Sequence, residues 1–246
     1  MKIQIFSDLH MEAYNSDPAF LWKFITPQAP VAVVAGDIDA REFEKTVTEI
    51  ASKFEKVVVL LGNHEYYRKD ISWKPDLTKI PSNVYVLNPG ICEIEDVTFI
   101  GATLWTDFDR EDHWTKQSAA YHINDFYIIS NGEDKKFHPN DALEIHYRER
   151  AYIEKMIELN RDKKIVVVTH FMPSLKLVRK KWGDTMVNRY FSAGCDELIA
   201  KSEAAMWVFG HTHDFIDEEL HGVKCVCNPL GYPRENPLYE DLIIDV

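Results

Sequence analysis

Cysteine is scarce, with four in 246 residues, and so few in a chain this long do not make a disulfide framework. Basic residues are also short: 28 Lys and Arg against 40 Asp and Glu leave a net charge of −12. A general nucleic-acid or membrane-surface binder needs a basic face, so both classes are set aside. A small phosphorylated substrate held by a local cluster of charged groups remains compatible. No apolar run approaches the roughly 20 residues that span a bilayer. The opening "MKIQIFSDLH" lacks the apolar h-region and small-residue cleavage site of a secretory leader. No repeat, low-complexity tract or Pro/Gly/Ser linker divides the chain, so one domain over residues 1–246 is expected. Cys225 and Cys227 stand in an apolar strand, where buried free thiols are the natural reading. The economical expectation is a reduced, cytoplasmic protein.

What the sequence does have is 46% hydrophobic residues and five compact apolar runs with polar ends. "KIQIF" ends in Ser7-Asp8-Leu9-His10, "VAVVA" in Gly36-Asp37-Ile38-Asp39, and "KVVVLL" in Gly62-Asn63-His64-Glu65. "KKIVVVT" ends in His170, and "AAMWVF" in Gly210-His211-Thr212-His213. Near-continuous runs of this kind read as strands buried on both faces. Phe43, Val47, Ile50 and Phe54 fall at helical spacing between the second and third runs. A second helix, over 140–160, precedes the fourth and is expected to be capped by Asn140 or Asp141. Strand, helix, strand is a βαβ pattern, so the fold is expected to be α/β. "NVYVLNPG", "CEIEDVTFIGATLW" and the stretches after residue 214 alternate more and read as antiparallel strands, giving a second or mixed sheet. Residues 106–138 show no period and read as helical or irregular material over one edge.

In open α/β sheets, ligands sit outside the carboxyl ends of the strands. Each of these strand-end residues has a plain explanation taken singly: Asp8 or Asp37 as a helix cap, Asn63 in a turn, His170 as a core histidine. Five coincidences at five strand ends point instead to a metal site. In a continuing strand, His211 and His213 would face one spot together. Imidazoles, carboxylates and an amide suit manganese, iron or zinc better than a thiolate-loving ion. Seven candidates exceed what one such ion takes, so two ions sharing a bridge are expected.

The ordered series Asp8-x-His10, Gly36-Asp37, Gly62-Asn63-His64-Glu65, His170 and Gly210-His211-x-His213 resembles the calcineurin-like metallophosphoesterases. That resemblance implies a four-layer αββα sandwich with two mixed β-sheets and the metal site at the strand C-terminal ends. It implies Asp8, His10 and His213 on a first metal, Asn63, His170 and His211 on a second, and Asp37 bridging. His64 would touch the phosphate or the leaving group. The chemistry implied is in-line attack on phosphorus by a metal-bridging hydroxide, with His64 as general acid or charge stabiliser. One position departs from the pattern: the family's second Asp, which orients the catalytic histidine, stands three places after the first, whereas Asp39 is two places on. In a strand continuing past Asp37, Asp39 would share the ligand's face.

Several branches of the superfamily are disfavoured by motif. "DLHM" and "GDIDAR" lack the D-x-H-G and G-D-x-x-D-R-G of protein phosphatases, and "GNHE" lacks the G-N-R-D of lipid-sugar pyrophosphate hydrolases. The expectation is a phosphoesterase that slightly favours a phosphodiester over a monoester, with manganese favoured over iron or zinc. Its partner would be a small phosphorylated substrate, nucleotide-like compounds among the candidates, with neither membrane nor nucleic acid. The alternative is a non-catalytic metal-binding interaction scaffold on the same fold. Lys176, Arg179, Lys180 and Lys181 read first as a solvated charged face and second as an anion guide. Trp105, Tyr232 and Arg234 are candidates for the pocket wall.

Overall fold

Alternation within the apolar runs decides the layering. The computed structural model describes every residue except Asp134 and Asp184. The strands are β1 (Lys2–Phe6), β2 (Val31–Ala35), β3 (Lys56–Leu60), β4 (Val84–Val86), β5 (Gly90–Ile94), β6 (Val97–Ala102), β7 (Lys164–Thr169), β8 (Met206–Val208), β9 (Ile216–Leu220), β10 (Val223–Cys227) and β11 (Leu242–Asp245). They form two sheets, ordered β11-β1-β2-β3-β4 and β5-β6-β7-β8-β10-β9. Ile3, Ile5, Val31, Val33, Val58 and Leu60 of the first sheet meet Val97, Phe99, Val166, Val168 and Val208 of the second in one buried layer. The intervening residues point outward under helices. Val34, Val57 and Val59 pack with Phe43, Val47 and Ile50 of the helix Phe43–Ala51. Ile165, Val167 and Trp207 pack with Ile153 and Ile157 of the helix Pro139–Leu159. Strands with a different apolar layer on each face must be apolar at every position, which is why the runs are continuous. The result is the expected α/β arrangement of two mixed sheets between helices.

All five apolar runs are strands, and β1-β2-β3 and β6-β7-β8 are parallel throughout. The alternating segments are only partly antiparallel. β5 pairs antiparallel with β6, β9 with β10, and β11 with β1, but β4 runs parallel to β3, and β10 to β8. Alternation reports which faces are buried; it carries no information on strand direction. The long helix is capped by His138, one residue before Pro139. His138 accepts from the Asn140 N–H, and Asp141 accepts from the His138 N–H at 2.8 Å. Proline at the first helical position moves the cap upstream of both expected residues. Residues 106–138 do contain helices, His113–His122 among them. The cysteines are free thiols, three of them buried and Cys92 half-buried. No helix among the described residues is long and apolar enough to cross a membrane.

The long helix also buries a carboxyl group. Glu149 is 3% exposed, accepts from the Leu104 N–H at 2.7 Å, and is pushed up to about 7 by burial. With a folded value above the unfolded one, its contribution to stability is full below about pH 4.5 and is lost as pH rises to about 7. Above that, the ionised carboxylate costs the fold up to about 3 kcal/mol. Glu149→Gln keeps an acceptor for Leu104 and removes the charge. Thermal unfolding is therefore expected to show the variant several degrees more stable at pH 8 and level with the parent near pH 4.5. Equal melting temperatures at both would contradict this account.

Candidate metal centre

The two sheets deliver their polar strand ends to a common edge. β1 leads to Asp8 and His10, β2 to Asp37, β3 to Asn63 and His64, β7 to His170, and β8 to His211 and His213. The chain turns sharply there: Asp8, His10, Asp37, His211 and His213 all have positive φ, between 44° and 70°. Non-glycine residues rarely adopt this region, and such outliers gather at functional sites. The same turns overturn two expectations that assumed a continuing strand. β8 ends at Val208, so His211 and His213 do not share a face. His211 joins Asp37 and His170, whereas His213 joins Asp8 and His10. Asp39 likewise turns away from Asp37. It accepts from the N–H groups of Arg41 and Glu42 and from the Ser16 and Thr46 hydroxyls, holding the entry to the helix Phe43–Ala51. Two motif glycines are explained by crowding. A Cβ on Gly62 would lie 2.1 Å from Asp37 Oδ1, and one on Gly36 2.5 Å from His170 Nδ1.

Two adjoining sets of donors result, Asp8–His10–His213 and Asp37–His170–His211, each with ligand atoms within 4.8 Å of one another. Asp37 also groups with His10 and His64, so it lies between the sets. Asn63 Oδ1 is 3.0 Å from His170 Nε2, which places the seventh expected residue with the second set. The donor chemistry fits cations on three counts. His10 Nε2 and His213 Nε2 face each other at 2.9 Å, while their Nδ1 atoms lie against the carboxylates of Glu12 and Glu235. With the protons held at Nδ1, two lone pairs are left converging. His170 Nδ1 similarly donates to the Ala35 carbonyl at 2.9 Å, freeing Nε2 toward Asn63 and Asp37. His211 Nε2 is buried without a hydrogen-bond partner among the described residues, an arrangement that is costly unless a ligand completes it.

The charges agree. Burial is the largest single influence and opposes a charged His64 or His170, but Asp37 together with Glu12 and Asp125 at His64, and with Asp8 and the Ala35 carbonyl at His170, outweighs it, and each is raised to about 9. Despite its own burial, Asp37 is held well below the usual carboxylate range by His170 and His64. Burial and the neighbouring His170 charge push His211 well below the ordinary imidazole value. Protonated imidazoles thus balance Asp37, and a divalent cation taking their place would displace those protons.

Several supporting residues escaped the sequence reading. Glu65 closes the "GNHE" motif and receives N–H groups from Asp37, Ile38, Asp39 and Gly62. Glu12, two residues after His10, accepts from His10 Nδ1 at 3.1 Å and His64 Nδ1 at 2.9 Å. Asp125 comes from the segment with no period. It accepts from Asn63 Nδ2 at 2.9 Å, Tyr67 Oη at 2.8 Å and the Tyr190 hydroxyl, fixing which end of the Asn63 amide faces the cluster. Tyr67 stacks on His64 with centroids 4.0 Å apart. Glu65 had a signal, a carboxylate inside a motif; Glu12, Asp125 and Tyr190 had none.

A groove of about 430 Å³ opens from the cluster. Its walls include Ile123, Leu177, Val178, Trp182, Val187 and Phe191, and Tyr232 stands at the cluster end. Tyr232 stacks on His10 at 4.2 Å, and its hydroxyl is 3.2 Å from His64 Nε2. Arg234 is exposed and outside the groove lining. Trp105 is 1% exposed and packs in the core against Phe137 and Phe171, since β6 carries it inward beneath the long helix. The basic segment does border the groove, but three of its four charges are engaged among the described residues. Lys176 pairs with Asp196 at 2.7 Å, Arg179 with Glu218 at 2.9 Å, and Lys181 with Asp214. Asp184, within the same segment, lies outside the described residues.

Comparison with known proteins agrees with this geometry. The chain is 25% identical over 268 residues to the uncharacterized protein L509 of Acanthamoeba polyphaga mimivirus, covering 93% of this chain and 90% of the relative. In fold it is similar to the phosphopantetheinyl hydrolase PptH of Mycobacterium tuberculosis. That similarity has a TM-score of 0.72 at 20% identity, across 99% of this chain and 95% of the other. Residues 1–215, which hold both donor sets and His64, match the calcineurin-like phosphoesterase family, and the chain belongs to that family.

Proposed function

We propose that this protein is a dinuclear metal-dependent phosphoesterase that prefers a phosphodiester carrying one largely uncharged organic arm. The observation that carries this reading is the pair of donor sets adjoining at Asp37, with His64 beside them and a groove leading away. Asp8, His10 and His213 would hold one cation, Asn63, His170 and His211 the other, and Asp37 both. Manganese, iron and zinc all suit imidazole and carboxylate donors, and the carboxylates favour manganese. Two such cations supply Lewis acidity toward phosphoryl oxygens and a nucleophilic water near neutral pH.

The chain's own residues do the rest. Glu12 and Glu235 hold the Nδ1 protons of His10 and His213, keeping Nε2 of each ring as the donor. His64 presents Nε2 to the position now taken by the Tyr232 hydroxyl, where the departing oxygen would receive its proton. Arg179 is the single lysine or arginine among the described lining residues, and it is tied to Glu218 and the Phe215 carbonyl. A second phosphate on the substrate would therefore meet no ready counter-charge, and Asp125, Asp214 and Glu235 in the lining would repel it. The apolar wall favours a neutral arm, such as the amide chain of a phosphopantetheinyl ester or a nucleoside. The complete donor set and the presence of His64 argue against a non-catalytic scaffold.

The test is hydrolysis of bis-p-nitrophenyl phosphate and p-nitrophenyl phosphate by protein stripped of metal and reloaded in turn with manganese, iron or zinc. Turnover restored by manganese, faster on the diester, is expected. No turnover on either ester by fully loaded protein would turn the assignment toward the scaffold.

A further inference from the structure

Glu12 ties together two groups that the proposed reaction uses separately. We propose that Glu12 is the positioning residue for His64, doing the work that the family pattern gives to the second Asp of the Gly-Asp motif. The inference rests on the proposed role of His64 at the leaving group. Glu12 lies in the 3-10 turn Met11–Tyr14, entered from His10 at φ 44°, and its side chain is 14% exposed. Its Oε1 accepts from His64 Nδ1 at 2.9 Å and from His10 Nδ1 at 3.1 Å. Its Oε2 accepts from the Ala40 N–H at 3.1 Å. Asp39, the residue at the nearest sequence position to the family's, spends both oxygens on the helix entry instead.

The geometry has a mechanical meaning. With the Nδ1 proton fixed on Glu12, the His64 proton free to leave is the one on Nε2. In the step, the Nε2–H bond breaks as the O–H bond of the leaving alcohol forms, and the ring is left neutral with Nδ1–H still on Glu12. Tyr67 stacked at 4.0 Å on His64 restrains the ring's tilt, and Glu12 restrains its rotation. Because the same oxygen holds His10, with the two rings 4.4 Å apart, the acid is registered to the metal ligands through one carboxylate.

The experiment compares Glu12→Ala, His64→Ala and the double variant on two diesters, bis-p-nitrophenyl phosphate and diphenyl phosphate, with metal content measured for each protein. p-Nitrophenolate leaves with little help, whereas phenolate needs the proton. Loss of Glu12 is expected to cut kcat about 100-fold on diphenyl phosphate, the low end for a general acid, and less than tenfold on the nitrophenyl ester. With metal supplied in excess, which offsets the weaker hold on the His10 ring, metal content should hold, and the double variant should fall no more than a few-fold below His64→Ala. Glu12→Gln, nearly the same shape, should lose less than Glu12→Ala, because the amide can keep its oxygen on His64 and His10 and give up only the contact to the Ala40 N–H. Equal losses on both esters with loss of metal, or multiplicative losses in the double variant, would overturn the proposal. So would an unchanged Glu12→Ala beside a crippled His64→Ala, and that outcome leaves the His64 reading standing. A full-rate His64→Ala would remove both.

Discussion

Asp37→Asn is expected to reduce the bound metal from about two ions per chain to one or none and to lower turnover by at least about 10³-fold, the scale of several kcal/mol of Lewis-acid stabilisation. Among the described residues, Asp37 is the carboxylate that lies between both donor sets, 3.4 Å from His170 Nε2 and 3.7 Å from His10 Nε2. Asparagine preserves its shape and can still accept the His64 N–H that now reaches Oδ1 at 2.9 Å, so the fold is kept. It cannot supply the negative charge that balances two cations. Elemental analysis of the purified variant beside its rate on bis-p-nitrophenyl phosphate gives both readouts. Full metal content with near-parental activity would show that Asp37 is not the bridge.

His64→Ala separates chemistry from assembly. Turnover is expected to fall about 10²- to 10⁴-fold while metal content and melting temperature change little. The hydrogen bond His64 makes to Asp37 runs through its backbone N–H, which alanine retains, and its ring nitrogens come no nearer to that carboxylate than 4.0 Å. What alanine removes is the ring between Glu12, Tyr67 and Tyr232. KM should move less than kcat, because a proton donated to the departing oxygen is felt in the transition state. A variant as fast as the parent would sink this role for His64.

The strands and the candidate ligands were legible for the same reason. Burial on both faces forces continuous apolar runs, and a run that stops in Asp, Asn or His at five sites marks an edge where polar groups gather. Illegible features were those decided by single dihedral angles or by partners far along the chain. Positive φ at Asp37 and His211 breaks the two-residue rule that would have aligned Asp39 with Asp37 and His211 with His213. Glu12 meets a histidine 52 positions away, and Asp125 meets an asparagine 62 positions away. The parallel setting of β4 follows from the long connection after β3, which returns the chain to that strand's starting end, information absent from "NVYV" itself.

Glu65 carries a consequence for how the site comes into being. One buried carboxylate gathers four backbone N–H groups from the loops after β2 and β3, so the shape of the cradle is held by the polypeptide and not by an ion. Small zinc modules are the opposite case, since they fold only around their metal. A cradle held this way needs no cation to keep its shape, so stripping metal from the protein is expected to leave the fold intact and the emptied site open to whichever divalent cation is then supplied.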